Sequence, residues 1–278
     1  WARIRNQFEA NKTTAAAYSI NYLPPSQTPD KKLVQTIIGA PLPWLIRLPN
    51  DFSGNRMQRE LAILGIQRIA RNDPRMAAEQ LERVSGSLQA GEKGWAWTQI
   101  GRQAAQGHLP EAMAWYRQAG DAPLSDDAAE WKVRAALRAQ DWGAVRSTIE
   151  KMPPALAEQS AWVYWLGRAY RAGGRLAEAD ALFARIAGQP DFYGNLASDD
   201  LGRPITTPPK AAAPSKAELA QTRANPGVQR ALAFFRLNLR SEGVREWNFA
   251  LRGMSDRELL AASELALRAD IYDRAIAA

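Results

Sequence analysis

Cysteine is absent from the 278-residue sequence, and histidine occurs once, as His108. Without cysteine the chain can form neither a disulfide bond nor a thiolate metal site. A single histidine cannot supply the ligands of a usual zinc site. His108 lies between Gly107 and Leu109-Pro110, so we expect it in a turn with a structural or surface role. The sequence therefore predicts no metal site and no cofactor.

Long apolar runs are also missing. No stretch of the sequence approaches the ~18 residues that a membrane-spanning helix needs, so no transmembrane segment is predicted. Strand signals are nearly absent, because there is no sustained alternation of β-branched and polar residues and no Asn-Gly or Asp-Gly turn. No signal peptide is visible, and the chain begins with Trp1 instead of methionine, as expected for a processed or excised fragment.

The sequence is basic, with a formal net charge of +7. A basic surface suits nucleic acid, an anionic membrane or an acidic polymer. The charges are scattered, however, and form no run of about five like charges, so we interpret most arginines as solvated helix faces. No helix combines a dense Lys/Arg face with exposed aromatic residues, which argues against a nucleic-acid partner.

A repeat of 34 residues is the main positive feature of the sequence. Trp131-Lys-Val-Arg-Ala135 superimposes on Trp165-Leu-Gly-Arg-Ala169, with Trp, Arg and Ala coinciding. A helix–turn–helix repeat of this length is typical of tetratricopeptide-like solenoids. The predicted fold is all-α, a right-handed superhelical solenoid of TPR-like helix pairs that is curved or ring-forming. Such scaffolds present a surface, and their repeats seldom carry chemistry.

The clearest repeat unit spans residues 160–187. Ser160 is the predicted N-cap of its first helix, and Gly173-Gly174 supply the left-handed turn that ends this helix. Apolar residues at helical spacing predict one buried stripe on each helix of the pair. The two stripes are Trp162, Trp165, Leu166, Ala169 and Tyr170, then Leu176, Ala179, Phe183 and Ile186. We interpret the ten tryptophans of the chain mainly as core residues between helices.

Helical patterns alternate with proline-rich breaks elsewhere. Residues 1–20 are predicted to form one helix, residues 31–48 are irregular to weakly helical, and a strong helical pattern begins at Arg56. Residues 203–214 read as an extended proline-rich linker. A second helical section follows, in which two helices begin at capping boxes. These boxes are Ser215 with Glu218 and Ser255 with Glu258, and the helix between them carries Val228, Leu232, Phe235 and Leu239.

Paired carboxylates are present but are not in a catalytic pattern. Asp126-Asp127 opens a predicted helix, where negative charge favours the helix dipole. Asp199-Asp200 lies near a helix end. Glu242 and Glu246 lie beside Arg240 and Arg245 on one predicted helix, which indicates an exposed, salt-bridged face. There is no Gly-x-Ser-x-Gly motif and no glycine-rich phosphate loop. The sequence predicts no catalytic, cofactor-binding or metal-binding residue, and it leaves the substrate-binding residues unknown.

Several segments in a fixed order resemble the superhelical domain of Slt-type soluble lytic transglycosylases. They are Ala161-Trp-Val-Tyr-Trp-Leu-Gly-Arg-Ala-Tyr, Gly174-Arg-Leu-Ala-Glu-Ala179 and Phe192-Tyr-Gly-Asn-Leu-Ala197. Residues 230–276 resemble the linker domain of the same family, so the resemblance covers essentially the whole chain. It implies a superhelical U-type domain over 1–202, a proline-rich linker over 203–214 and a helical L-type linker domain over 215–278.

The resemblance also implies a function. Enzymes of this family cleave the bond between N-acetylmuramic acid and N-acetylglucosamine in peptidoglycan and leave a 1,6-anhydro end. The implied location is the bacterial periplasm, and the implied partners are glycan strands and a catalytic lysozyme-like domain of the same protein. The family's Glu-Ser dipeptide and its Gly-Leu-Met-Gln and Ala-Tyr-Asn motifs are absent from this sequence. The expected role is therefore non-catalytic, shaping a ring and positioning the glycan.

A second hypothesis assigns the chain to another functional class. A TPR-like repeat chain can also act as an adaptor that binds peptides or proteins in its concave groove. A groove lined by Asn, Lys and Arg would favour this alternative, whereas a ring closed by residues 215–278 would argue against it.

Overall fold

The computed structural model describes residues 1–205 and 209–278, and within these ranges it contains helices and no strand. The predicted all-α class is confirmed. The chain divides into two compact units, Trp1–Thr206 (unit 1) and Thr207–Ala278 (unit 2). Of the predicted proline-rich segment 203–214, residues 206–208 lie outside the described residues.

Unit 1 contains fourteen helices within the described range 1–205. They are α1 (Ala2–Glu9), α2 (Thr13–Ile20), α3 (Lys31–Gly39), α4 (Leu42–Ile46), α5 (Arg56–Ala70), α6 (Pro74–Val84), α7 (Ala90–Gln106), α8 (Ala112–Gln118), α9 (Asp126–Arg138), α10 (Trp142–Glu150), α11 (Pro154–Ala157), α12 (Ser160–Ala172), α13 (Leu176–Ile186) and α14 (Phe192–Asp200). Consecutive helices pack against each other in pairs such as α5–α6, α7–α8 and α12–α13.

Unit 2 contains five helices within the described range 209–278. They are α15 (Lys216–Ala224), α16 (Pro226–Arg236), α17 (Arg240–Ala250), α18 (Asp256–Leu267) and α19 (Tyr272–Ala277). Trp247 is fully buried at the centre of this unit, among Val228, Ala262 and Leu265. Unit 2 thus has an apolar core of its own.

The repeat has a direct structural counterpart in unit 1. Trp131 on α9 and Trp165 on α12 both pack, half-buried, against one hydrophobic cluster that includes Val133 and Ala169. All ten tryptophans of the chain are buried or half-buried, so their interpretation as core residues is confirmed. Their large apolar area fills the gaps between helices.

Glycines let aromatic rings approach neighbouring helices closely. A Cβ added to Gly167 on α12 would lie 2.6 Å from the ring of Phe183 on α13, and one on Gly101 would lie 3.1 Å from the ring of Tyr116. In unit 2, Gly243 faces the ring of Phe235 in the same way. The absence of a side chain at these positions therefore sets how near the paired helices lie.

Three local predictions for unit 1 are wrong. Residues 1–20 form two helices, because Asn11 adopts a left-handed conformation (φ 57°) that ends α1. Gln159 occupies the N-cap position of α12, and the Ser160 hydroxyl instead donates a hydrogen bond of 2.8 Å to Asp191. Leu176 was expected in the buried stripe but is 58% exposed at the start of α13.

Two further segments differ from the sequence pattern. Residues 31–48, expected to be irregular to weakly helical, contain α3 and α4, and Asp30 caps α3 by accepting a hydrogen bond from the Leu33 N–H. Leu239 does not belong to the helix of Val228, because α16 ends at Arg236 and Leu239 precedes α17. Gly174 does adopt the predicted left-handed conformation, with φ 76°.

Both predicted capping boxes of unit 2 are present. At the first of them, Glu218 accepts a hydrogen bond from the backbone N–H of Ser215, and Arg257 on α18 donates to both of its carboxylate oxygens at 2.7 Å. The hydrogen bonds from Arg257, followed by those from Ser215, lower the pKa of Glu218 to about 2. Because the folded-state pKa lies below that of unfolded glutamate, this contribution to stability is present above about pH 4.3 and is lost as the pH falls towards 2.

We expect Arg257→Gln to raise the pKa of Glu218 towards its ordinary value, because the larger of the two sources of stabilisation is removed. Carboxyl ¹³C NMR titration of the full chain between about pH 2 and 6 measures this directly. Arg252→Gln is the matched control, since Arg252 lies over the Phe249 ring and not at the box. Equal titration midpoints in the two variants would contradict the assignment.

Candidate functional site

A large cavity lies within unit 1 and has a volume of about 1080 Å³. It is bounded by α1, both ends of α5, α7 and the turn before α9, and we call it the α1–α7 cavity. Four arginines and three carboxylates line it, together with two indole rings. These residues are Arg5, Arg56, Arg71, Arg102, Glu9, Glu60, Asp127, Trp1 and Trp95. The lining thus carries both positive and negative side chains, with a small excess of positive charge.

Glu60 is the most deeply placed carboxylate of this lining, with a side chain only 2% exposed. Arg5 on α1 donates to it at 2.8 Å, and Arg56, one turn earlier on α5, lies 3.8 Å away. The guanidinium of Arg5 also lies 5.7 Å from the ring centroid of Trp95. A cation over an indole face is attracted by the ring quadrupole, so Trp95 helps to orient Arg5 towards Glu60.

Arg102 on α7 connects the other wall of the cavity. Its side chain is buried, and it donates to Asp127 at 2.6 Å and to the backbone carbonyl of Glu9 at 3.1 Å. The Glu9 carboxylate in turn accepts a hydrogen bond from the hydroxyl of Ser125, the N-cap of α9. The end of α1 is therefore held to α7 and α9 by polar contacts around the cavity rim.

A buried ion pair lies beneath these groups. Arg59 on α5 donates to Glu92 at the start of α7, with N–O distances of 3.0 and 3.1 Å, and the two side chains are 7% and 6% exposed. Arg59 also donates to the carbonyl of Ser53, and Glu92 accepts from the backbone N–H of Gln89 to complete a capping box. Both charges therefore have several partners, as buried charges require.

Sequence reasoning missed Arg5, Glu60, Arg59 and Glu92. Their partners are 33 to 55 residues apart, so no local spacing relates them. One signal was present, because Arg59-Glu60 stands immediately before an apolar run in a helix that is buried on nearly all sides. Charges in such a helix must be paired, and this requirement indicates partners elsewhere in the chain.

Among the carboxylates considered from sequence, only one reaches the cavity. Asp127 pairs with Arg102, whereas Asp126 lies at the start of α9 and lines a different, smaller cavity. Asp200 accepts hydrogen bonds from Tyr164 and Arg171, at 2.9 and 2.7 Å, which ties α14 to α12. These contacts give Asp200 a structural role.

The remaining candidates lie away from the cavity. His108 is exposed in the turn after α7, with φ 57°. Glu246 accepts from Arg230 on the neighbouring α16 at 2.6 Å, and Arg240 pairs with Asp273, so the predicted pairing within the α17 face is wrong. Within residues 1–205 and 209–278, no group of three or more His, Cys, Asp or Glu side chains could hold a metal ion. None of the described helices is long and apolar enough to cross a membrane.

Comparison with known proteins now adds to this geometry. Residues 221–278 match the family model of the soluble lytic murein transglycosylase L domain. The whole chain is similar in structure to an inactive mutant of the lytic transglycosylase Slt from Pseudomonas aeruginosa, with 28% identity and a TM-score of 0.70. The resemblance to the superhelical and linker regions of Slt-type lytic transglycosylases is therefore confirmed.

Two further solved structures share the fold of this chain. The 70-kDa soluble lytic transglycosylase in complex with bulgecin A is 18% identical over 99% of this chain, with a TM-score of 0.62. The Slt70 enzyme of Escherichia coli is 18% identical over 99% of the chain, with a TM-score of 0.63. The match to the Pseudomonas structure covers all of this chain. This chain spans 45% of the length of the Pseudomonas chain and 44% of the length of each of the other two. No curated protein matches it in sequence.

Proposed function

We propose that this chain is the non-catalytic part of a periplasmic soluble lytic transglycosylase. The whole enzyme would cleave the MurNAc–GlcNAc bond of peptidoglycan to 1,6-anhydro-muropeptides. In this proposal residues 1–202 are a superhelical U-type domain that forms part of a ring by right-handed, TPR-like stacking. Residues 203–214 are a linker, and residues 215–278 are an L-type domain next to a catalytic lysozyme-like domain of the same protein.

One observation carries this proposal. The L-domain match covers residues 221–278, and the same chain resembles a lytic transglycosylase of known structure along its full length. A repeat scaffold that resembled such an enzyme by chance would not be expected to match the family's own linker domain as well.

The α1–α7 cavity supplies a surface on which a glycan strand could be held. Trp95 offers an apolar face, while Asn6, Gln103 and Arg71 offer hydrogen-bonding groups; the Arg71 guanidinium has no ion-pair partner in the part of the chain that the structure describes. Ligand sites combine apolar and aromatic walls with a few fixed polar groups in this way. Peptidoglycan also carries carboxylates on its stem peptides, which suit Arg71 and the largely exposed Arg56.

Charge reversal at the cavity tests this role. We expect Arg56→Glu with Arg71→Glu to weaken co-sedimentation of the chain with purified sacculi about tenfold, a loss of about 1.4 kcal/mol. The matched control is Arg47→Glu with Arg185→Glu, two exposed arginines outside the cavity that form no ion pair within the described residues. Both doubles change the net charge equally, so a purely electrostatic attraction would weaken both alike.

The outcomes separate the candidate functions. Binding of the wild-type chain without release of anhydro-muropeptides, detected by mass spectrometry, supports the non-catalytic role. Release of anhydro-muropeptides by this chain would refute it. If both double variants weaken sacculus binding equally, the cavity has no specific role in binding. If the wild-type chain does not bind sacculi at all, the TPR-like adaptor is favoured.

A further inference from the structure

Unit 2 contains a second concavity that the proposed function does not use. Its volume is about 650 Å³, within the range of roughly 300–1000 Å³ found for small-ligand sites. Four arginines and one carboxylate line it, so its formal charge is strongly positive. The charged residues are Arg223, Arg236, Arg240, Arg268 and Asp270. We call this feature the arginine concavity.

Within residues 1–205 and 209–278, two of the four arginines have no acidic partner. Arg240 pairs with Asp273 and Arg268 with Glu264, each at 2.7 Å. Arg223 and Arg236, in the last turns of α15 and α16, form no ion pair within the described part of the chain. Their guanidinium groups are exposed and free to receive an anion.

The one carboxylate of the lining is already engaged. Asp270, in a left-handed conformation between α18 and α19, accepts a hydrogen bond of 2.8 Å from the Tyr272 hydroxyl. It does not form an ion pair with any of the four arginines within the described residues. Asp270 keeps its negative charge, so the two unpaired arginines leave the concavity with a small net positive charge.

The floor of the arginine concavity is apolar. Leu265 and Ile271 are buried there, and the half-buried Leu232 and Phe235 complete it. An inorganic anion would use the arginines and leave this floor in contact with water. A ligand that carries both carboxylates and an aliphatic side chain would use both parts, since apolar contact with the floor adds to the charge-assisted hydrogen bonds.

We propose that the arginine concavity binds a short acidic peptide that carries two carboxylates flanking an apolar residue. Guanidinium groups bind carboxylates in a bidentate, planar fashion, which favours carboxylates over a single point anion. Arg223 and Arg236 hold the two carboxylates, and the apolar residue covers Leu232 and Phe235. The proposal rests on unit 2 alone and does not depend on the sacculus-binding role of unit 1.

Isothermal titration calorimetry with the full chain tests this assignment. The probe is the blocked pentapeptide Ala-Glu-Leu-Glu-Ala, and its matched analogue is Ala-Gln-Leu-Gln-Ala. We expect the acidic peptide to bind at least about tenfold more tightly than the amide analogue, because charge-assisted hydrogen bonds between a guanidinium and a carboxylate are stronger than those to a neutral amide. Equal affinity of the two peptides, or no binding of the acidic one, would overturn the proposal.

Variants locate the site. Arg223→Gln with Arg236→Gln should weaken binding of the acidic peptide by about tenfold or more. Arg245→Gln with Arg252→Gln removes the same charge from exposed positions of unit 2 outside the concavity, and it should change the affinity by less than about twofold. None of the four side chains forms an ion pair within the described residues, so the fold should persist in both doubles.

Inorganic phosphate distinguishes the peptide from a general anion. If phosphate at the same concentration displaces the peptide, the concavity is an anion site without peptide preference, and the proposal is wrong. If the two double variants weaken peptide binding equally, binding depends on the overall charge of unit 2 and not on the concavity, and the proposal is also wrong. Retained peptide binding in the presence of phosphate, lost only in the Arg223/Arg236 double, supports it.

Discussion

Replacing Arg59 with methionine should lower the free energy of opening of α5 and α7 by about 3–5 kcal/mol. The substitution keeps most of the side-chain volume but leaves the Glu92 carboxylate, 6% exposed, without its cationic partner. Desolvation of that unpaired charge is then no longer offset. Native-state hydrogen exchange measures the effect, because it reports the stability of individual helices. Amides in unit 2 serve as the internal control.

A second substitution identifies the cause. Adding Glu92→Gln to Arg59→Met removes the stranded charge, while glutamine can still complete the capping box with Gln89. We expect the double variant to recover at least half of the lost stability. An exposed pair gives the comparison: Arg146→Met, which removes an i, i+4 contact with Glu150 at 4.0 Å, should cost about 0.5 kcal/mol or less. Similar losses in the Arg59 and Arg146 variants would contradict the role assigned to burial.

Gly167→Ala should destabilise α12 and α13 by about 1–3 kcal/mol. The added Cβ would lie 2.6 Å from one ring carbon of Phe183, and 3.0 and 3.1 Å from two others. Phe183 cannot withdraw easily, because it is fully buried, packs beside Tyr164 and lies under the guanidinium of Arg171. This steric cost exceeds the roughly 1 kcal/mol that alanine gains over glycine inside a helix.

A clash between the new Cβ and the Phe183 ring can be tested with one double variant and one control variant. Combining Gly167→Ala with Phe183→Leu should cost less than the sum of the two single substitutions, since the smaller side chain leaves room for the Cβ. Gly143→Ala on α10 is the control, because its new Cβ would meet only a side-chain oxygen of Asp141 at 3.6 Å. Hydrogen exchange of the corresponding helices again gives the measurement. Additive losses in the Gly167/Phe183 double would contradict a clash with the ring.

The sequence predicted features that depend on neighbouring residues. The capping boxes at Ser215 and Ser255 were identified correctly, because the N-cap and the third helical residue contact each other within one turn. The glycine turn at Gly174 and the core positions of the tryptophans were predictable for the same reason. Errors arose where a contact from another helix decided the outcome, as for Ser160, whose hydroxyl is engaged by Asp191.

The candidate sites could not be predicted in this way. The α1–α7 cavity joins Glu9 to Ser125 across 116 residues, and the arginine concavity joins Arg223 to Arg268. No periodic pattern relates residues at such separations, so only the packing of the helices brings them together. The charged residues are visible in the sequence, but most arginines were interpreted as lying on solvated helix faces. That interpretation is wrong for the few charged side chains that are buried.

The polar ties of α1 have a consequence for the order of assembly. Most helix pairs of unit 1 join segments that follow one another closely, so each can form soon after its own residues are made. Gln67 on α5 can hold the Phe8 carbonyl early, but the partners of Glu9, Arg102 and Ser125, come 93 and 116 residues later. At about 5–20 residues per second of synthesis, α1 waits on the order of 5 to 20 seconds for its final position. During that interval only α5 can face α1 across the cavity, and the C-terminal end of α1 is fixed when α7 and the turn at Ser125 have been made.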